Sequence, residues 1–212
     1  VTEEPAVEPP PDVMNDDWCP KVGQAWPLPN GQGAPREIPP ASLRLLPVAA
    51  RRAMSGDPPT RKVVKALCAI ISRAEEEDFG PSAVLSLRQL YAWLWTFFAT
   101  DVQDWLQVCH AHAALVGALS CLGPHGRDVA CWSCHIIGRA AHSHPQNALS
   151  FAEAGAVPSI SDLIQRFPND SEVHLAAATA LTYLAKCNKV QDSMFSTGAI
   201  PRLLAAVEEQ MT

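Results

Sequence analysis

Phe151-Ala-Glu-Ala-Gly155-Ala-Val-Pro158-Ser-Ile160 returns further along the chain as Phe195-Ser-Thr-Gly198-Ala-Ile-Pro201-Arg-Leu203. The two phenylalanines stand 44 residues apart, and the Gly and Pro pairs 43 apart. The segments upstream keep the same offset: Val129 aligns with Val173, Ile137 with Leu181, Ala140 with Leu184 and Ala141 with Ala185, each 44 apart. A fixed period of this length, written in helical patterns, marks stacked supersecondary units. The Gly-to-Pro step has a physical reading. Gly permits a sharp turn as one short helix ends. Pro then occupies the first turn of the next helix, where its missing N–H is harmless. Ile160, Leu163 and Ile164, like Leu203, Leu204 and Val207, supply that helix's buried stripe.

Outward from this motif, helix follows helix. Val63, Val64, Leu67, Ile70 and Ile71 make one apolar stripe within 61–78. Gly80-Pro81-Ser82 stops that helix, with Ser82 as cap for the next over 83–99. A long helix is expected over 101–122, with Asp101 at its N-cap and Gly123-Pro124 at its end. Further helices are expected at 127–142, 146–154, 157–166, 171–187, 189–196 and 199–209. No strand alternation interrupts them, so residues 60–212 read as an all-α domain.

Residues 1–59 differ in kind. They hold thirteen of the nineteen prolines, and the first twenty carry six acids and no base. Proline fixes φ and removes a backbone donor, so this region reads as an extended, acidic, proline-rich arm without a core of its own. Trp18 and Trp26 are its candidate partner anchors, because isolated aromatics in extended segments gain most by docking into pockets.

The junction Glu153-Ala-Gly155-Ala-Val-Pro158, with its echo Thr197-Gly198-Ala-Ile-Pro201, resembles that between the first two helices of an armadillo repeat. Ala176-Ala-Ala-Thr-Ala180-Leu181-Thr-Tyr-Leu184-Ala185 resembles the small-residue third helix. The resemblance is strong over 127–210 and rests on helix length and patterning alone over 61–122; it does not reach 1–59. It implies a short armadillo-like helical solenoid, an interaction scaffold of the kind that binds extended peptides along its third helices. In peptide-binding members a Trp and an Asn on that helix hold the ligand. Here the Trp position carries His135 and Thr179, and the Asn position Arg139 and Tyr183. The asparagine ladder is absent.

Composition narrows the partners. A net charge of −6 provides no general basic field for nucleic acid. The longest apolar run, Tyr91 to Ala99, is short of the roughly twenty residues that span a bilayer. Seven cysteines are an odd number for a disulfide framework, and most of them sit inside apolar helical patterns. They read as reduced, buried thiols of an intracellular compartment.

Three constellations invite chemistry. Cys131-Trp-Ser-Cys134-His135 matches the pattern for covalent attachment of c-type haem, yet Cys134 aligns with the small core position Ala178. Packing is therefore the preferred account, with haem or metal at Cys131, Cys134 and His135 as the alternative. Six of the seven histidines lie between 110 and 144, together with Cys121, Cys131 and Cys134 and next to Cys109, but their spacing fits no standard zinc site. Tyr91-Ala-Trp93-Leu-Trp95-Thr-Phe97-Phe98 is aromatic on all sides of a helix. Trp93 and Trp95 are thus candidate contacts for another subunit, or for peripheral contact with a membrane complex, if they are not core. No nucleophile stands beside a base, and no phosphate loop is present. The expectation is a non-enzymatic scaffold without a cofactor, part of a larger protein complex, with Trp18, Trp26, Trp93, Trp95, Arg139 and Tyr183 at its partner contacts.

Overall fold

Thr60 opens the first helix by accepting a hydrogen bond from the Val63 backbone N–H at 3.4 Å. The computed structural model describes residues 58–201, apart from 77 and 199. Expectations for Trp18, Trp26, the proline-rich arm, Leu203, Leu204 and Val207 lie outside the described residues. Within them the chain is helical: α1 (Arg61–Ile71), α2 (Gly80–Trp93), α3 (Ala99–Val108), α4 (His112–Ala118), α5 (Gly126–Ala141), α6 (Pro145–Glu153), α7 (Ala156–Arg166), α8 (Ser171–Ala185) and α9 (Asn188–Ser196). No strand occurs among the described residues.

The turn that closes α6 sits on Gly155 at φ +87°, and the turn after α9 on Gly198 at φ +67°. Left-handed backbone of this kind is free to Gly and strained for other residues. Pro158 follows in the first turn of α7, as the motif requires. A third left-handed residue stands between α3 and α4. It is His110, at φ +52° and 45 positions before Gly155. The single helix expected over 101–122 is therefore two, broken at the place where the later units break. Here the breaker is a histidine.

Other boundaries differ for local reasons. α1 ends at Ile71, and turns carry the chain through 72–76. α2 begins at Gly80, so Ser82 is a buried residue inside it rather than its cap; Pro81 supplies the first turn and Phe79 stands at the cap position. Asp101 lies in the first turn of α3, where its charge suits the helix dipole, while Phe98 occupies the cap. Asp170 is a true cap: its carboxylate accepts from the Val173 N–H at 3.1 Å.

Helix α5 packs against α2 on one side and α8 on the other, and α1 packs against α2, α3 and α4. Three of the four residue pairs aligned by sequence match in burial, while Ala141 is buried and Ala185 only partly so. Val129 and Val173 are both fully buried, as are Ala140 and Leu184, and Ile137 and Leu181 are essentially so. Leu67, Leu87, Leu106, Leu115, Ile136 and Phe151 are the large side chains at the centre of the core. Small residues set the spacing of α5 and α8: Ala176, Ala177 and Ala180 are fully buried, and a Cβ added at Gly138 would lie 3.1 Å from the Ala180 Cα. No helix among the described residues is long and apolar enough to cross a membrane.

Candidate interaction surface

Side-chain contacts of α2 and the turn after it with α5 share one offset. Arg88 stacks over the Trp132 ring at 5.4 Å, Tyr91 meets His135 at 5.4 Å between ring centroids, and Arg139 stacks over Trp95 at 4.1 Å. Each pair is 44 residues apart. A constant offset along two helices means that they run parallel and in register. On α8, Tyr183 continues the row 44 residues beyond Arg139, flanked by His142 at 4.9 Å and by the Lys186 ammonium at 4.9 Å.

These side chains are half-buried, which suits a surface that is structured and still reachable. Arg139 is held firmly: its Nε donates to the Leu94 carbonyl at 3.0 Å while the guanidinium lies on Trp95. Tyr91 packs edge-on against both Trp95 and Trp132. Burial pushes its phenol above the ordinary range, with the hydrogen bond to Trp95 and the Arg139 charge pulling the other way. At the opposite end of the row Arg127 gathers three carboxylates: Asp128 at 3.1 Å, Asp170 at 2.8 Å and Glu172. Those contacts tie α5 to the start of α8.

Of the residues expected at partner contacts, Trp95, Arg139 and Tyr183 lie on this surface. Trp93 does not. Only 6% exposed, it belongs to the core, because α2 ends there and turns its last apolar residues, Trp93 and Leu94, inward. Phe97 shows the other outcome for the aromatic run, standing 87% exposed on the turn before α3.

Cys131 and Cys134 face the core of α5, and Cys134 has no exposed surface. Burial pushes the Cys131 thiol up to about 12 and Cys134 well above the usual thiol range. The His135 ring lies on the half-buried side, between Tyr91 and Trp132. A porphyrin bonded to both sulfurs would require α5 to leave its neighbours. The six described cysteines are free thiols, and no group of three or more His, Cys, Asp or Glu side chains among the described residues is placed to hold a metal.

A second polar arrangement has no counterpart in the sequence reading. The Asn147 amide donates to the Gln103 carbonyl at 3.0 Å and the Ala140 carbonyl at 3.2 Å. Its oxygen faces His112 Nε2 at 2.9 Å. With the amide hydrogens committed, that oxygen can only accept, so His112 carries its proton on Nε2. Gln103 in turn donates to the carbonyls of Arg139 and His142, at 3.1 Å and 2.9 Å. Gln191, 44 residues after Asn147, donates to the Ala185 carbonyl at 2.9 Å. Amide side chains thus satisfy the last carbonyls of α5 and α8, which a helix end leaves without partners.

Burial holds His112 below the ordinary imidazole range, against the upward pull of Asn147, and burial does the same to His135. The unfolded chain takes up these protons near pH 6.5 while the folded chain resists them, so unfolding gains protons below about pH 6.5. Stability contributed by the neutral rings is therefore present above that pH and falls as the solution is acidified. The urea midpoint should be level above about pH 7 and drop between about pH 6.5 and 5. A midpoint that rises over the same interval would show that the imidazoles gain charge on folding.

No family model, curated protein or solved structure is found to match the chain.

Proposed function

We propose that this protein is a non-catalytic interaction scaffold, a short armadillo-like solenoid whose α2–α5–α8 surface receives an extended segment of another protein, within a larger assembly. The observation that carries the reading is the recurrence of half-buried aromatic and cationic side chains at equivalent positions: Tyr91 and His135, Trp95, Arg139 and Tyr183, at intervals of 44 residues. Periodic side chains on parallel helices suit a ligand that is itself periodic, such as an extended chain. Packed aromatics with a polar edge and arginines fixed in place are also the residue types that dominate protein interfaces. Of the four left-handed residues among those described, His110, Gly155 and Gly198 stand at 45- and 43-residue spacing and support the repeat reading, while Ser143 at φ +56° falls outside it.

A photo-reactive side chain placed at Thr179, half-buried on α8, tests the surface; Gln165, exposed on α7, is the control. Irradiation of the full chain in its native assembly should give covalent adducts with another protein from Thr179 and none from Gln165. Equal labelling from both positions, or none from either, would remove the assignment.

A further inference from the structure

The surface seam between α2 and α5, called the groove below, has a definite chemical order. Arg88 and Trp132 stand at one level, Tyr91 and His135 in the middle, and Trp95 with Arg139 at the other. Trp132 and Arg139 are seven residues apart on α5, which at 1.5 Å per residue separates the two levels by about 10 Å. Each level presents a guanidinium stacked on an indole. Stacking fixes the plane of the fork and leaves its edges for in-plane acceptors, which is the geometry that matches a carboxylate.

The neighbouring charges give the groove a polarity. Asp128, Asp170 and Glu172 crowd Arg127 near the start of α5, and three carboxylates on one guanidinium leave a net negative end. An acidic ligand is repelled from that end and confined to the stretch from Trp132 to Arg139. Glu172 acts weakly on the middle level, since its charge raises the His135 imidazole against the larger effect of burial.

We propose that this groove docks an extended acidic segment of a partner protein, lying along the helices with two carboxylates three residues apart. Three residues of polyproline II chain make one turn and cover about 9 Å, which brings both carboxylates to one face at close to the axial separation of the two levels. The intervening positions rest on the Tyr91 and Trp132 rings, which favours apolar residues or proline, whose preformed extended backbone loses little freedom on docking. The inference rests on the scaffold reading and adds the chemistry of its occupant.

The test uses a fluorescein-labelled synthetic peptide repeating the tetrad Glu-Pro-Leu-Glu, titrated into the full chain and followed by polarisation. Arg88→Glu should weaken binding at least tenfold, with helix content unchanged, because Arg88 touches only the Trp132 ring among the contacts seen here. Arg139→Lys, which keeps the charge and loses the fork, should weaken it several-fold. The same peptide with lysine for glutamate should bind the Arg88→Glu variant better than it binds the parent. Binding indifferent to Arg88→Glu, or equally good for the lysine peptide and the parent chain, overturns the proposal. If the acidic peptide fails while a photo-reactive residue at Thr179 still captures a partner, the groove takes other chemistry and the scaffold reading stands. Failure of both removes the two together.

Discussion

Replacing Asn147 with alanine is expected to lower the melting temperature by about 6–12 °C, the effect of losing about 3 kcal/mol in a domain of this size. The side chain is fully buried at the start of α6, yet none of its hydrogen bonds serves α6. Its amide reaches the Gln103 carbonyl on α3 and the Ala140 carbonyl at the end of α5, and its oxygen holds the His112 N–H on α4. Alanine would leave the buried His112 N–H without its acceptor and take a donor from carbonyls on α3 and α5, of which Ala140 keeps the Gln103 amide at 3.3 Å; a buried group left unsatisfied costs more than the bond itself contributes. Asn147→Asp discriminates this account from simple loss of volume. A carboxylate keeps the shape but donates to neither carbonyl, so at neutral pH it should be worse than alanine. Acidification should return part of the loss as the carboxyl regains a proton. Differential scanning calorimetry at two pH values reads both effects; a melting temperature within about 2 °C of the parent for Asn147→Ala would show that the amide is not a clamp.

Why the amides escaped a reading of the sequence, while the aromatic row was partly visible, is a matter of range. Gln103, Asn147 and Gln191 look like solvated polar residues on short helices, and no local rule connects them to carbonyls 36 to 44 residues away or at the end of the preceding helix. Arg139 and Tyr183 stand 44 residues apart, so alignment against the repeat exposes them, and Trp95 shows through the aromatic run instead. The pairing of Arg88 with Trp132 needed the register of α2 against α5, which patterning over 61–122 could not supply. The break at His110 was hidden for a simpler reason. Gly and Pro announce a turn, whereas His110, exposed at φ +52°, is one of the side chains that tolerate left-handed backbone without being a turn signal in sequence. Trp93 was ambiguous because an aromatic run has no apolar face to read, and only the end of α2 decides which rings turn inward.

Glycine 138 offers the sharpest test of how α5 and α8 are held together. The substitution Gly138→Leu should destabilise the fold by roughly 3 kcal/mol or more, the upper end of the range for overpacking. A Cβ at this position meets the Ala180 Cα at 3.1 Å, the Tyr183 ring at 3.3 Å and the Ala180 N at 3.5 Å. Two of these atoms are backbone in the middle of a packed helix, so the clash is relieved only if α8 moves away as a body. Hydrogen exchange followed by mass spectrometry should show protection lost over α8 and α9 and largely kept over α1 and α2, since α2 meets α5 on the side away from α8 and α1 packs against α2, α3 and α4. Loss spread evenly along the chain would instead mean that the helices unfold as one unit. Alanine substitutions separate packing from propensity. Helix propensity alone favours alanine over glycine by about 1 kcal/mol inside a helix. Gly117, exposed within α4 with nothing within 4 Å of its added Cβ, should realise that gain. At Gly138 the same methyl group presses on backbone, so the gain should vanish or reverse. If both alanine variants were stabilised equally, the closeness of α5 and α8 would be incidental, and the surface formed where Tyr183 lies beside the end of α5 would lose its physical basis.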